Sequence, residues 1–300
     1  MIQFEGIIPA IVTPVDENEH FQPAAFERLS EHLYSAGVHG LYVCGQTGEG
    51  LQLSPEERKK AAEIAVRSSP AGKAVIVHVG AAAAKDAFAL ARHASRIGAS
   101  AISSLPPAPN YSFKEIRAYY SELASVSDVP LLIYYFPSLS PSLRTTDQIL
   151  ELCAIPNVIG LKFTDSDFFQ LWAFRQAGHV VFNGSDEMLL AGLIMGANGG
   201  IGSTYNLIPE AFVKLYSLIS QQRWEQARAV QNEINRFIAP LLRAPVHSAI
   251  KTLLRWKGFD CGYCIAPRRR LTETEESELR ERLANTQLGE QFLTAVPISR

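Results

Sequence analysis

No apolar run in this 300-residue sequence approaches the roughly 20 residues that cross a bilayer, so no membrane span is expected. Charge of one sign is also missing. The 28 basic and 30 acidic residues are scattered and sum to −2, which leaves no basic stripe for nucleic acid. The one basic run, Arg268 to Arg270, precedes an acidic helix-like segment and reads as solvated surface. Cysteine is scarce: Cys44, Cys153, Cys261 and Cys264 are too few to staple a chain this long. Cys261-Gly-Tyr-Cys264 has no second pair or histidine pair at zinc spacing. It reads as ordinary reduced thiols of a cytoplasmic protein, with no metal site. Residues 1–14 lack a basic n-region and a small-residue cleavage site, so they do not read as a secretory signal.

What is present is a regular alternation of short apolar runs with amphipathic ones. Strands are expected at Ile7–Thr13, Gly40–Val43, Ala74–Val79, Ala101–Leu105, Pro130–Phe136, Val158–Phe163, Val180–Asn183 and Gly199–Gly202. Helices are expected between them, from Pro23–Ala36 through Ser54–Ser68, Ala83–Ile97, Ser112–Val126, Thr145–Cys153, Asp167–Gln176 and Asp186–Met195 to Pro209–Gln221. Ser54-Pro-Glu-Glu57 is a capping box with proline at the first helical position. Eight strand–helix repeats without a linker imply a parallel sheet closed into a (β/α)8 TIM barrel. The competing doubly wound open sheet lacks a Gly-x-Gly-x-x-Gly after its first strand. Residues 1–222 form the expected barrel. Residues 223–300, with helices at Trp224–Leu242, His247–Lys257 and Thr272–Leu288, form a C-terminal helical extension packed on it.

Barrel chemistry sits at the C-terminal ends of the strands. There the sixth strand carries Lys162, an odd residue for the end of a buried strand. Apolar surroundings disfavour an ammonium and expose a nucleophilic amine, which attacks a carbonyl to form a Schiff base. A lysine that has merely reached water is the plain alternative. Strand parity puts Lys162 and Thr164 on one face, with Ile159, Leu161 and Phe163 on the other, towards the helices. In the turn Cys44-Gly-Gln-Thr-Gly-Glu-Gly50, freed backbone N–H groups with Gln46 and Thr47 suit a carboxylate, or simply cap the next helix. Tyr134, one strand from Lys162, can relay protons, while Tyr135 reads as core. His78 is given no role. The glycines of 196–202 have no Lys or Arg among them, which argues against a phosphate site.

Taken together, Thr13-Pro14, Gly45-Gln-Thr-Gly-Glu49, Tyr134-Tyr-Phe-Pro137 and Gly160-Leu-Lys162 resemble the dihydrodipicolinate synthase / N-acetylneuraminate lyase family of class I aldolases. The resemblance implies that Lys162 forms an imine with pyruvate, with no other cofactor. It implies that the turn at Thr47 and the backbone of Ile201 hold the pyruvate, and that Tyr134 shuttles protons. Phe163-Thr-Asp-Ser-Asp167 and Asn183-Gly-Ser-Asp-Glu187 are similar to the lyase branch. There Gly184, Asp186, Glu187 and Ser203 would hold the hydroxylated tail of a 2-keto-3-deoxy sugar acid such as N-acetylneuraminate, with Thr164 beside the imine. Leu139 stands where the synthase branch expects an arginine. Gln46 replaces the family's usual Ser or Thr, and Pro106–Asn110 lacks a tyrosine that many members lend across a subunit interface, Tyr111 being out of register. The implied partner set is a small keto acid and three further copies in a homotetramer. A synthase, another keto-acid aldolase or dehydratase, and a silent sugar-acid-binding relative stay open as alternatives.

Overall fold

The computed structural model describes residues 3–107 and 111–295. Eight short strands are present: β1 (Gly6–Pro9), β2 (Gly40–Val43), β3 (Ala74–His78), β4 (Ala101–Ser104), β5 (Leu131–Tyr135), β6 (Val158–Phe163), β7 (Val180–Asn183) and β8 (Gly199–Gly202). The helices between them are α1 (Pro23–Ser35), α2 (Pro55–Ser68), α3 (Ala84–Arg96), α4 (Phe113–Ser125), α5 (Thr146–Cys153), α6 (Phe168–Gln176), α7 (Leu189–Ile194) and α8 (Pro209–Ser220). Local sequence sets many of the helix starts. Ser54, Ser112 and Thr145 each accept from the N–H three residues on and are answered by Glu57, Glu115 and Gln148.

All strand pairs are parallel, in the order β1-β8-β7-β6-β5-β4-β3-β2. The seam between β1 and β2 is closed by the Ala10–Tyr42 bridge, by Ile11 N–H to Tyr42 O (3.0 Å) and by His39 N–H to Ile7 O (2.8 Å). The chain is a TIM barrel. Strand β1 ends at Pro9 instead of Thr13 because Asn206 takes over the backbone beyond it. Val12 N–H donates to Asn206 Oδ1 (3.1 Å), and Asn206 Nδ2 donates to Ala10 O (2.8 Å).

Two apolar layers result. An inner cluster of Ile8, Tyr42, Ile76, Leu132, Tyr134, Phe182 and Ile201 fills the barrel, and a larger one lies between the strands and the helices. Leu161 and Phe163 belong to the outer layer, as parity predicts, but Ile159 packs on the inner one. The reason is an irregularity opposite Leu131 and Leu132, whose partners are Val158 and Gly160. One residue is skipped there, which inverts the facing of everything before Gly160. Gly160 is required at that point: a Cβ would lie 1.8 Å from Val180 O.

Three segments were expected after the barrel; among the described residues four helices follow, α9 (Trp224–Leu241), α10 (Val246–Trp256), α11 (Glu273–Ala284) and α12 (Gln287–Thr294). The single helix expected over Thr272–Leu288 is two, because Thr286 starts a new one by accepting from Gly289 N–H (3.1 Å). No helix among the described residues is long and apolar enough to cross a membrane.

Candidate active site

Lys162 is the penultimate residue of β6, lies inside the barrel and is 5% exposed. It lies in register with Tyr134 on β5 and Phe182 on β7. Its Nζ sits 4.1 Å from the centre of the Tyr134 ring and 4.8 Å from that of Tyr42. No carboxylate is paired with it among the described residues, so no ion pair must break for the amine to reach a carbonyl carbon. Tyr134 also meets His78 edge-on at 6.1 Å. His78 Nε2 accepts from Leu105 N–H (3.2 Å), so its ring proton is on Nδ1; burial holds its pKa well below the usual histidine value. Tyr135 faces outward, stacks on Phe163 and is a core residue.

The turn after β2 lies beside these rings. Among the described residues the N–H groups of Gln46 and Thr47 find no backbone acceptor, which suits an anion. Thr47 Oγ1 is 2.6 Å from Ser203 Oγ, so Ser203 adjoins the carboxylate-type turn. Ile201 lies opposite Ile8 within the inner cluster. Thr164 follows Lys162 out of the strand, and its buried Oγ1 has no hydrogen-bond partner among the described residues. Gly184 is what admits it, since a Cβ there would lie 2.0 Å from Thr164 Oγ1.

Asp186, expected at the start of the next helix, is held chiefly by the turn after β8. The expected helix Asp186–Met195 opens as a 3-10 turn, Asp186–Met188, before α7. Asp186 Oδ2 instead accepts from the N–H (2.7 Å) and Oγ1 (2.6 Å) of Thr204, while Oδ1 lies over Gly202. Burial pushes the Asp186 carboxyl up to about 6 against the pull of those bonds. Glu187 is exposed, and its carbonyl accepts from Asn235 Nδ2 (3.1 Å). Gln46 also lines a cavity of about 250 Å3 with Leu51, His78, Leu105 and Leu139. Residues 108–110 of the loop expected to lack a cross-subunit tyrosine lie outside the described residues; Tyr111 is exposed.

Sequence reasoning missed a charged latch behind the turn. Glu49, with a fully buried side chain, is paired to Lys251 of α10 (2.7 Å) and lies 3.4 Å from Arg268. Its Oε1 accepts from Ile265 N–H (2.8 Å). The run Arg268–Arg270 is therefore not plain solvated surface. Arg268 donates to Gln46 O (3.2 Å) and Gln46 Oε1 (3.3 Å), Arg269 pairs with Glu275, and Arg270 stacks on Tyr263. One signal was available: Lys251 interrupts the apolar face of a helix, where a lysine needs a buried acid. His247, on the same helix, feels Arg268 and Lys251, and burial chiefly brings it down to about 4.

Residues 3–286 match the Dihydrodipicolinate synthetase family. The chain belongs to that family. A curated relative, the N-acetylneuraminate lyase of Rhizobium meliloti (strain 1021), is 38% identical over 94% of this chain and 95% of its own. A protein of Clostridium difficile solved in complex with mannosamine superposes with a TM-score of 0.89 at 31% identity, covering 93% of this chain and 98% of that one. A catalytic lysine mutant of the Ruminococcus gnavus sialic acid aldolase gives 0.90 at 28% identity, covering 97% of each. The first of these is named a lyase of N-acetylneuraminate and the last an aldolase of sialic acid.

Proposed function

We propose that this protein is a pyruvate-dependent lyase that cleaves a 2-keto-3-deoxy sugar acid, N-acetylneuraminate foremost, through an imine on Lys162. The observation that carries the reading is Lys162 itself, buried at a strand end against two tyrosine rings with no acid paired to it among the described residues. Its amine would add to the C2 carbonyl and expel water, giving an iminium. Tyr134, next to Lys162 in register, would take the C4 hydroxyl proton as the C3–C4 bond breaks and the aldehyde leaves. The bonding electrons pass to the iminium as an enamine. Protonation at C3 and hydrolysis return pyruvate and the free lysine. The scheme calls for no cofactor beyond that lysine imine.

The site's polarity supports the order of groups. Gln46, Thr47 and the backbone of Ile201 would hold the keto-acid end, with Ser203 bridging towards Thr47. Asp186 and Glu187 offer acceptors for hydroxyl donors of the tail, with Gly184 and Thr164 between. The synthase alternative is disfavoured by Leu139, an apolar side chain on the cavity wall where a second carboxylate would need a cation. Self-association into a homotetramer is favoured by Phe169, Trp172 and Ile194, which are 72%, 40% and 56% exposed on α6 and α7. Four buried, unpaired thiols suit the reducing cytoplasm.

The deciding experiment is borohydride trapping with pyruvate, joined to a screen of keto acids for pyruvate release. A reduced pyruvyl group on the Lys162 peptide, lost in Lys162→Ala, is expected. Label on another lysine refutes the nucleophile. Efficient condensation of pyruvate with aspartate semialdehyde, with no turnover of sugar acids, refutes the branch.

A further inference from the structure

Resting on the lyase reading, we propose that Arg268 is a positioning residue: it fixes the Gln46 amide so that its NH2 group donates to the carboxylate of the keto acid. A guanidinium is a donor only, so the Gln46 atom it meets at 3.3 Å must be the carbonyl oxygen Oε1. Arg268 also takes the Gln46 backbone carbonyl at 3.2 Å, which ties side chain and main chain of one residue to one planar group. With Oε1 occupied by Arg268, the Gln46 NH2 is the end of the amide left to meet a ligand. The same turn carries the N–H groups of Gln46 and Thr47, which lack a backbone acceptor among the described residues.

The charges around the site fix which substrate group this donor meets. Lys251, Glu49 and Arg268 carry +1, −1 and +1, a net +1 behind the turn. The turn after β7 carries two acids, Asp186 and Glu187. A carboxylate is drawn to the Gln46 flank and repelled from the other, and hydroxyl donors sort the opposite way. The donor at position 46 is an amide on a two-carbon stem, unlike the short hydroxyl of Thr47 beside it. It is longer and freer to rotate, so it requires an outside group to aim it. The C-terminal extension supplies that group.

The test measures the pyruvate concentration that half-saturates borohydride trapping in the full-length protein. The variants are Gln46→Ala, Gln46→Glu, Arg268→Ala, Arg268→Lys and the double alanine variant. Gln46→Ala and Arg268→Ala should each raise that concentration about tenfold or more, the weight of one hydrogen bond to a charged group. The double variant should be no worse than the weaker single, because aiming an absent amide has no effect. Gln46→Glu keeps the oxygen that Arg268 grips but replaces the NH2 with an anion, so it should bind pyruvate most weakly of all. Arg268→Lys keeps the charge beside Glu49 without the planar fork and should fall between wild type and Arg268→Ala. In the Arg268 variants kcat for sugar-acid cleavage should stay within about threefold while KM rises. Unchanged half-saturation in Arg268→Ala overturns the proposal, as do multiplicative single effects or wild-type affinity in Gln46→Glu. So does a loss of trapping at saturating pyruvate that tracks a fall in Tm, which would make Arg268 structural. If wild type is not trapped by pyruvate at all, the lyase reading falls and takes this one with it; the variant results above overturn the positioning role alone.

Discussion

Asp186→Asn separates what the Asp186 carboxylate does for the fold from what it does for a ligand. Its pKa rises from 3.8 to about 6 in the folded protein, chiefly through burial. A carboxyl raised in this way binds its proton more tightly folded than unfolded. Its contribution to stability is therefore full below about pH 4 and lost as pH rises through about 6. A shift of roughly two units corresponds to about 3 kcal/mol over the whole window. Between pH 5 and pH 8 the same two values give a loss of about 1.4 kcal/mol. Asparagine keeps one oxygen to accept from Thr204 N–H and Oγ1 but has no proton to lose. Chemical denaturation of both proteins at pH 5, 6, 7 and 8 should show wild type losing about 1.4 kcal/mol relative to the variant across that range. The variant also places an NH2 where Oδ1 now lies over Gly202, turning an acceptor into a donor. KM for the sugar acid should rise about tenfold, the weight of one charge-assisted bond, with pyruvate half-saturation unchanged. A stability difference that is flat with pH, or that grows in favour of wild type, refutes the buried-acid reasoning. An unchanged KM refutes the tail contact.

Tyr134→Phe should lower kcat by about two to four orders of magnitude, since it removes a placed acid–base group, with imine trapping slowed but retained. Tyr135→Phe, whose hydroxyl donates to Gln170 at 3.4 Å, should cost far less; the reverse order would place the relay on the wrong tyrosine. Lys251→Met leaves the buried Glu49 carboxylate without its nearest cation and should lower unfolding free energy by about 3–5 kcal/mol. Arg268, 3.4 Å away, sets the lower end of that range. A neutral outcome by denaturant titration would show that water reaches Glu49.

The barrel was legible because its signal is repeated. Eight apolar runs with helices between them leave few closed arrangements, and parity put Lys162 and Thr164 on the face away from the helices. Parity then failed at Ile159, two residues before Leu161, because a skipped residue beside Gly160 has no signature in a pattern of alternating side chains. The latch was hidden for a different cause. Glu49 and Lys251 are about two hundred residues apart, and pairing across that separation is set by the packing of α10, not by local sequence. Arg268 was read as surface because a run of three arginines is ordinarily solvated. Only the fold shows that its first member turns in to Gln46 while the next two find Glu275 and Tyr263. Ser203 was assigned by position to the sugar tail, and nothing in the sequence could place its hydroxyl 2.6 Å from that of Thr47.

One regularity connects these side chains. Asp186, Gln46 and the Thr47–Ser203 pair share a pattern: one hydrogen-bonding function is held by the protein and another is left over. Asp186 gives Oδ2 to Thr204 and keeps Oδ1; Gln46 gives Oε1 to Arg268 and keeps its NH2; Thr47 and Ser203 hold one another and share a remaining hydroxyl proton. Thr164 Oγ1 is buried with no partner among the described residues. Buried polar groups are ordinarily satisfied, because leaving one unmade costs about 1–3 kcal/mol. Half-satisfied groups around a single amine are thus a debt that a ligand can settle. The held halves keep the free halves in place before the ligand arrives, so little side-chain freedom is lost on binding. The same arrangement explains why donors and acceptors are segregated: free N–H groups gather at the Gln46–Thr47 turn and free acid oxygens at Asp186 and Glu187. That segregation is what the proposed substrate calls for: a carboxylate at one end, hydroxyls at the other and a carbonyl between them for Lys162 to attack.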